Sequence, residues 1–398
     1  MENNKKYYFY STLYAISLSF FSGSVLQAFL LNVGLEESKI YLYDALINTA
    51  QVAMMALSVF FSDKIRSSGR FVAFNCFAFI PLCALLAAAG FGLLPANALF
   101  LPLAAVALFS YASMGINNTV VYRFPYEVID IRQYGKITAV CGMLSGALTF
   151  GLSSLYSFAV AGEGASRVSA VAFSLVILLL LLAGITVLRM KKNPVPTPPS
   201  RGFGTAVFKN KKTWILLIPN FCRGIATGVI SLFAVFAVSA GAIPKAYAAS
   251  LVIVLQLANF CGNFLFYRLS GKAKVRKILL LAACGMCVFL PLSLVFPSTV
   301  PVFIFYFLIR FFMIMVDDAI PVSITEFVPY SQIGAFTSLR MMLFTLGQAV
   351  SSFFLLLTEG RLPYPVILLL VALFQLVCCL SYFFVARQSE KEKAREGV

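Results

Sequence analysis

The chain contains no histidine. That absence removes histidine general acid–base chemistry, histidine metal ligands and histidine proton relays together. Any proton coupling must therefore fall to carboxylates. Charge is scarce as well: 12% of the 398 residues are charged, against roughly 25% in a soluble globular protein. There is no G-x-x-x-x-G-K-[ST] phosphate loop, which excludes ATP-driven pumping by this chain alone. No polar stretch is long enough for a separate catalytic domain, so the sequence predicts no enzyme and no cofactor.

What is present is apolar. Hydrophobic residues make up 61% of the chain, with a mean hydropathy of +0.91. A bilayer core about 30 Å thick needs about 20 apolar residues per helix, and runs of that length recur throughout. They predict twelve spans, at 9–32, 41–62, 71–93, 98–122, 136–160, 167–189, 213–239, 246–268, 276–296, 299–322, 333–357 and 363–386. The first run, from Phe9, is longer than a signal-peptide core and is expected to be a retained membrane helix. Pro81, Pro219 and Pro291 fall inside spans, where bundled neighbours can satisfy the freed carbonyls.

The formal net charge of +16 raises the question of nucleic acid. The basic residues lie in short clusters between apolar runs, which marks them as topology signals and excludes a nucleic-acid partner. With the N-terminus inside, the cytoplasmic segments hold Lys5 and Lys6; Lys64, Arg66 and Arg70; Arg123, Arg132 and Lys136; Arg189 to Lys212; Arg268 to Lys277; and the C-terminal tail. The opposite side holds Lys39, Arg167, Lys245 and Arg361. This bias predicts a plasma (inner) membrane protein with both termini cytoplasmic. The nine cysteines sit inside or at the ends of apolar runs. Cys284 and Cys287 have CxxC spacing but no second pair to complete a metal site, so buried free thiols are expected.

Arg189 to Lys212 carries Pro194, Pro196, Pro198 and Pro199 among basic residues and has no apolar face to bury. It reads as a cytoplasmic linker. The predicted organisation is a six-helix bundle over 1–190, the linker over 191–212, a second six-helix bundle over 213–387 and a charged tail over 388–398. The halves look related. Moving Glu127–Leu144 onto Glu326–Leu343 aligns Glu127 with Glu326, Gln133 with Gln332, Gly135 with Gly334 and Thr138 with Thr337. Repeats with an even number of spans keep the same orientation in the membrane.

The loop after the second span reads Ser62-Asp63-Lys64-Ile65-Arg66-Ser67-Ser68-Gly69-Arg70. It resembles the major facilitator signature G-x-x-x-D-[RK]-x-G-[RK]-[RK], with Val59 in place of the first glycine and Gly69 three positions late. The lengthened loop, and Pro125-Tyr126 after the fourth span, also resemble the glycoside–pentoside–hexuronide cation symporters. The resemblance implies an all-α membrane protein of twelve helices in two pseudo-symmetric bundles that works by alternating access. It implies further that Asp63, Lys64, Gly69 and Arg70, with Glu127 and Glu326 at equivalent helix ends, act as a conformational latch. A solvated turn with Asp63 capping a helix, and a pairing of Glu127 with Arg123 four residues away, are the plainer readings.

A charge at mid-bilayer costs roughly 2.5–3.5 kcal/mol on insertion scales, so each one needs a reason. Arg223, Arg310 and Arg340 are the deepest basic residues, and Asp317 and Asp318 lie in span ten. Polar faces accompany them: Asp44, Asn48 and Gln51 on span two; Gln256, Asn259 and Asn263 on span eight; Arg223, Thr227 and Ser231 on span seven. Asn117 and Asn118 lie on span four and Gln27 on span one, whereas spans six and nine have almost no polar centre. Two readings stand. In one, Arg223, Arg310, Arg340, Asn117, Asn118, Gln256, Asn259 and Gln27 line a cavity that binds an anionic solute, while Asp317 or Asp318 carries the coupling proton or cation. In the other, Arg310, Asp317 and Arg340 form a structural ion-pair network. The predicted partners are a small-molecule substrate, a coupling ion and the bilayer, with one chain sufficient. Export of drugs or lipids, import of a neutral sugar, and a non-transporting sensor are the alternatives.

Overall fold

The computed structural model describes residues 2–21, 23–61, 67–121, 124–129, 141, 144–152, 154–155, 165–191, 211–239, 241–270, 275–295, 298–327, 333–358 and 363–396. The ordered elements over this range are helical. They are α1 (Glu2–Phe20), α2 (Gly23–Asn32), α3 (Glu37–Phe61), α4 (Ser68–Ala78), α5 (Ile80–Gly90), α6 (Ala96–Val120), α7 (Phe124–Val128) and α8 (Ala165–Leu188). Then come α9 (Lys211–Ser231), α10 (Phe233–Ser239), a 3-10 turn (Lys245–Ser250), α11 (Leu251–Ser270), α12 (Val275–Val295), α13 (Thr299–Phe327), α14 (Ile333–Thr358) and α15 (Tyr364–Glu396); the predicted linker lies almost wholly outside the described residues.

Among the described residues, six helices are long and apolar enough to cross a membrane, with α4 and α5 counted together as Ser68–Gly90, and two bent pairs raise this to eight. The bent pairs are α1 with α2 and α9 with α10. Span seven turns by 43° between α9 and α10, at Leu232, whose N–H donates to the Val229 carbonyl 3.1 Å away. Span three is also divided, between α4 and α5, because Pro81 in the first turn of α5 has no N–H to continue the ladder. The predicted fifth span, 136–160, lies mostly outside the described residues. The last helix runs on to Glu396, ten residues past the predicted end of span twelve; its Ala, Arg, Gln, Glu and Lys are strong helix formers.

Three helices end alike. Beyond α2, the Leu35 N–H donates to the Leu30 carbonyl and the Gly34 N–H to that of Leu31; beyond α5, Leu93 and Gly92 repeat the pattern on Ala88 and Ala89. Beyond α10, Ala242 and Gly241 do so on Ala237 and Val238. This cap needs one left-handed residue, and Gly34, Gly92 and Gly241 have φ of 87°, 76° and 67°.

The chain divides into two compact units, Met1–Gly202 with Lys245–Val252, and Phe203–Pro244 with Ile253–Val398. In the first, α3 lies along α6, and α8 packs on α1, α4 and α5. A Cβ at Gly115 of α6 would stand 2.5 Å from the Gln51 carbonyl oxygen of α3, so the bare glycine sets how closely those helices approach. The outer face of α8 leaves Leu175, Leu178, Leu182, Ile185 and Leu188 exposed. In the second unit, α9 packs on α14 and α15, and α12 on α13 and α15. A Cβ at Gly224 would overlap the Phe344 carbonyl, and one at Gly347 the Phe221 carbonyl. Small residues at such crossings replace the hydrophobic drive that lipid cannot supply.

Candidate functional site

The glycine crossing of α9 and α14 places Arg223. Its guanidinium lies 5.0 Å from the centre of the Phe344 ring of α14 and forms an ion pair with Asp317 of α13. Three helices thus converge on one cation that is 8% exposed. The ring face and the carboxylate together hold it in the apolar interior. Asp317 pairs with Arg223, whereas the sequence offered Arg310 and Arg340 as partners for Asp317 in a network. The pairing residues are far apart in sequence, and helix spacing alone could not show the match.

Arg310 is held differently. Its Nε donates to the Tyr306 hydroxyl at 3.3 Å, and its guanidinium sits 5.7 Å from the same ring. Tyr306, one turn earlier on α13, stacks on Phe233 of α10 with ring centres 4.7 Å apart. Arg340 of α14 is 8% exposed; its Nη2 touches the Met341 sulfur at 3.7 Å, and its Nε has no hydrogen-bond partner among the described residues. Asp317 is the described carboxylate in this group, and it is committed to Arg223. The backbone of Asp318 lies in α13, while its side chain is outside the described residues.

The amides fall in both units. On α11, Gln256 is buried and accepts a 3.5 Å hydrogen bond from Asn259, whose own Oδ1 has no partner among the described residues. On α6, Asn117 is buried and its Oδ1 has no partner among the described residues, and Asn118 is half-buried. Gln27 of α2 is buried. Such groups in an apolar interior are equipped to bind a polar solute.

Asp63 and Lys64 of the predicted latch lie outside the described residues, as does the side chain of Glu326. Arg70 is exposed at the start of α4, and Gly69 packs so that a Cβ would meet the Phe124 ring at 3.2 Å. Glu127 accepts a 3.4 Å hydrogen bond from the backbone N–H of Ser68, in the first turn of α4. That turn has no cap from Ser67, so Glu127 supplies an acceptor to orphan helix N–H groups from the end of span four. Its predicted partner Arg123 is outside the described residues.

Sequence reasoning missed Tyr306 and Phe344, the rings under the two arginines. Tyr306 was findable, because a residue four before Arg310 shares its helix face. Phe344 depends on the α9–α14 crossing. Also missed was a relay in the first unit: Ser113 donates to Asn75 Oδ1 at 2.8 Å, and Asn75 Nδ2 donates to the Tyr14 hydroxyl at 2.7 Å. The Cys284–Cys287 pair is not buried as expected; Cys284 is exposed, and the described cysteines are free thiols.

The backbone matches solved structures over nearly its whole length. The nucleoside transporter NupG superposes with a TM-score of 0.67 at 15% identity, over 96% of this chain and 99% of that one. A D-xylose-proton symporter gives 0.70 at 13% identity, over 94% and 96%. The E. coli fucose:proton symporter FucP gives 0.64 at 13%, over 97% and 98%. The chain has the major facilitator fold. That fold is one of an integral multi-pass membrane protein. No protein-family model and no curated protein matches the sequence.

Proposed function

We propose that the chain is a secondary active transporter that carries a small polar anion across the plasma (inner) membrane by alternating access, with both termini cytoplasmic. The observation that carries this reading is the surplus of positive charge in the second unit. Of Arg223, Arg310 and Arg340, only Arg223 has a carboxylate partner among the described residues. Two guanidiniums held on a tyrosine and a methionine retain donors for a carboxylate or phosphate, and charge-assisted hydrogen bonds are the strong kind. Gln256 and Asn259 would bind the neutral part of the solute. Asp317, or Asp318 beside it, would take the coupling proton or cation, and its protonation would release Arg223. One chain contains every residue this needs.

A second reading has its own support. The superposed proteins are named as transporters of nucleosides, xylose and fucose, and the amides of α6 and α11 suit a neutral polyol equally well. The arginines would then be structural.

Thermal unfolding of the purified protein separates the two. A ligand of the folded state present at 100 times its Kd adds about 2.7 kcal/mol. Carboxylates and organic phosphates are expected to raise the midpoint, and Arg310→Gln and Arg340→Gln to abolish the rise. Stabilisation only by neutral sugars or nucleosides, unchanged in both variants, would sink the anion reading.

A further inference from the structure

The first turn of α1 is pinned to the end of α8, far from the proposed transport site. Asn3 engages Lys191, just past α8, with both ends of its amide. Its Nδ2 donates to the Lys191 carbonyl at 2.7 Å, and the Lys191 N–H donates to its Oδ1 at 3.2 Å. The same Nδ2 donates to the Val128 carbonyl at 3.0 Å. Lys6, one turn on, donates from Nζ to the Arg189 carbonyl at 3.2 Å and to the Glu2 carboxylate at 2.6 Å. The last carbonyls of a helix lack partners within it and give its end a partial negative charge. Lys6 and Asn3 cover two carbonyls at the end of α8, so the charge that would repel an anion there is met.

Positive side chains gather at the same place. Arg189 and Lys191 are exposed, and among the described residues neither forms an ion pair. Glu2, the acidic residue of α1, is held by Lys6 and is felt by Lys191 at longer range. An ammonium has three donors, so Lys6 keeps one after these two bonds.

The helix below supplies an apolar track. α8 packs on α1, α4 and α5 and leaves Val171, Leu175, Leu178, Leu182 and Ile185 exposed. Their spacing of three or four residues puts them on one stripe of the helix. Four more residues reach Arg189, whose N–H still donates to the Ile185 carbonyl at 3.1 Å. The stripe lies inside the span Ser166–Leu188, where acyl chains are its solvent. From Leu178 to Arg189 the helix rises about 16 Å, which is roughly half of a bilayer core.

We propose that this end of α8 binds one anionic phospholipid, with its phosphate on Arg189, Lys191 and Lys6 and an acyl chain along Leu178, Leu182 and Ile185. The paired N–H groups of a guanidinium match two phosphate oxygens. A soluble anion would leave the stripe unused, and a zwitterionic lipid would bring its own cation against Arg189. The site rests on the membrane fold and on no cargo.

Native mass spectrometry of the full chain in a neutral detergent counts bound lipids one at a time. Dioleoylphosphatidylglycerol is expected to bind its first copy more tightly than dioleoylphosphatidylcholine, which has the same chains. Arg189→Gln/Lys191→Gln should weaken that first copy about 25-fold, or about fivefold for each basic residue near anionic lipid. Arg268→Gln/Lys277→Gln removes equal charge from exposed helix ends of the second unit and should leave it unchanged. Asn3→Ala removes no charge and should still weaken it, because Lys191 loses its anchor; full affinity in that variant would overturn the part given to α1. Equal first-copy affinity for the two lipids would overturn the site. So would an equal loss in the two double variants, which would reduce it to general attraction. Displacement of the lipid by inorganic phosphate at the same concentration would make it a site for a free anion and overturn it too. Failure of every anion in the thermal assay would remove the proposed cargo and leave this lipid binding intact.

Discussion

The two units share a construction and differ in electrical content. Each has a pair of helices pressed together at glycine, α3 with α6 and α9 with α14. Beside that crossing the second unit places a guanidinium between a carboxylate and a ring, and carries two further arginines in its spans. The first unit places Asp44 with Asn48 on the helix that makes its crossing, and its basic residues stay at helix ends. Among the described residues, arginine inside a span is thus confined to the second unit. A fold built from two similar halves can divide its tasks in this way, because the crossing positions whatever residue stands next to the glycine.

The largest effect should come from breaking the charge balance of the second unit. Asp317→Asn leaves Arg223 without its carboxylate. Removing one partner of a fully buried pair costs about 3–5 kcal/mol, and the loss here should be smaller because the Asp317 side chain is 37% exposed. The double variant Arg223→Gln/Asp317→Asn removes the charge with its partner and should recover most of that stability. Melting curves of the purified variants read both. Equal melting of the single and double variants would show that the pair does not neutralise Arg223, and the contrast between the units would fail at its centre.

A smaller effect tests the shared construction. Gly224→Ala forces a methyl group into the Phe344 carbonyl, and Gly115→Ala forces one to 2.5 Å from the Gln51 oxygen. Overpacking of this kind costs about 1–3 kcal/mol. Both variants should melt lower, with Gly224→Ala the worse because its overlap is closer. Gly224→Ala should also weaken anion stabilisation. Loss of stability in Gly224→Ala with anion stabilisation unchanged would separate the crossing from the site.

The spans were legible because run length is a property of sequence, and a bilayer imposes it on every helix alike. The break at Phe79 was half legible, since Pro81 announced a missing hydrogen bond but helix period did not locate the bend. The 43° turn after Ser231 has no proline or glycine at Leu232 and left no mark in the sequence. Within the site, the identity of the intramembrane arginines was legible from the cost of burying charge. Their partners were legible only where one helix holds both groups, as with Arg310 and Tyr306. Arg223 meets Asp317 and Phe344 across three helices, and that depends on rotation about helix axes that apolar periodicity fixes poorly in a span hydrophobic on every side.

The smallest effect concerns the polar relay of the first unit. Tyr14, Asn75 and Ser113 come from spans one, three and four and are joined by bonds of 2.7 and 2.8 Å. Hydrogen bonds between membrane helices average only about 0.6 kcal/mol, because a chain unfolded within the bilayer finds other partners. Ser113→Ala and Tyr14→Phe should each lower the melting point slightly. Asn75→Leu should cost no more than the two combined, since it removes the amide together with its need for partners. A loss of several kcal/mol in Asn75→Leu alone would mean that the amide serves more than two bonds. The first unit would then be held by polar contacts as strongly as the second is by its ion pair, and the division between a charged unit and a neutral one would be a matter of chemistry only, with no difference in strength.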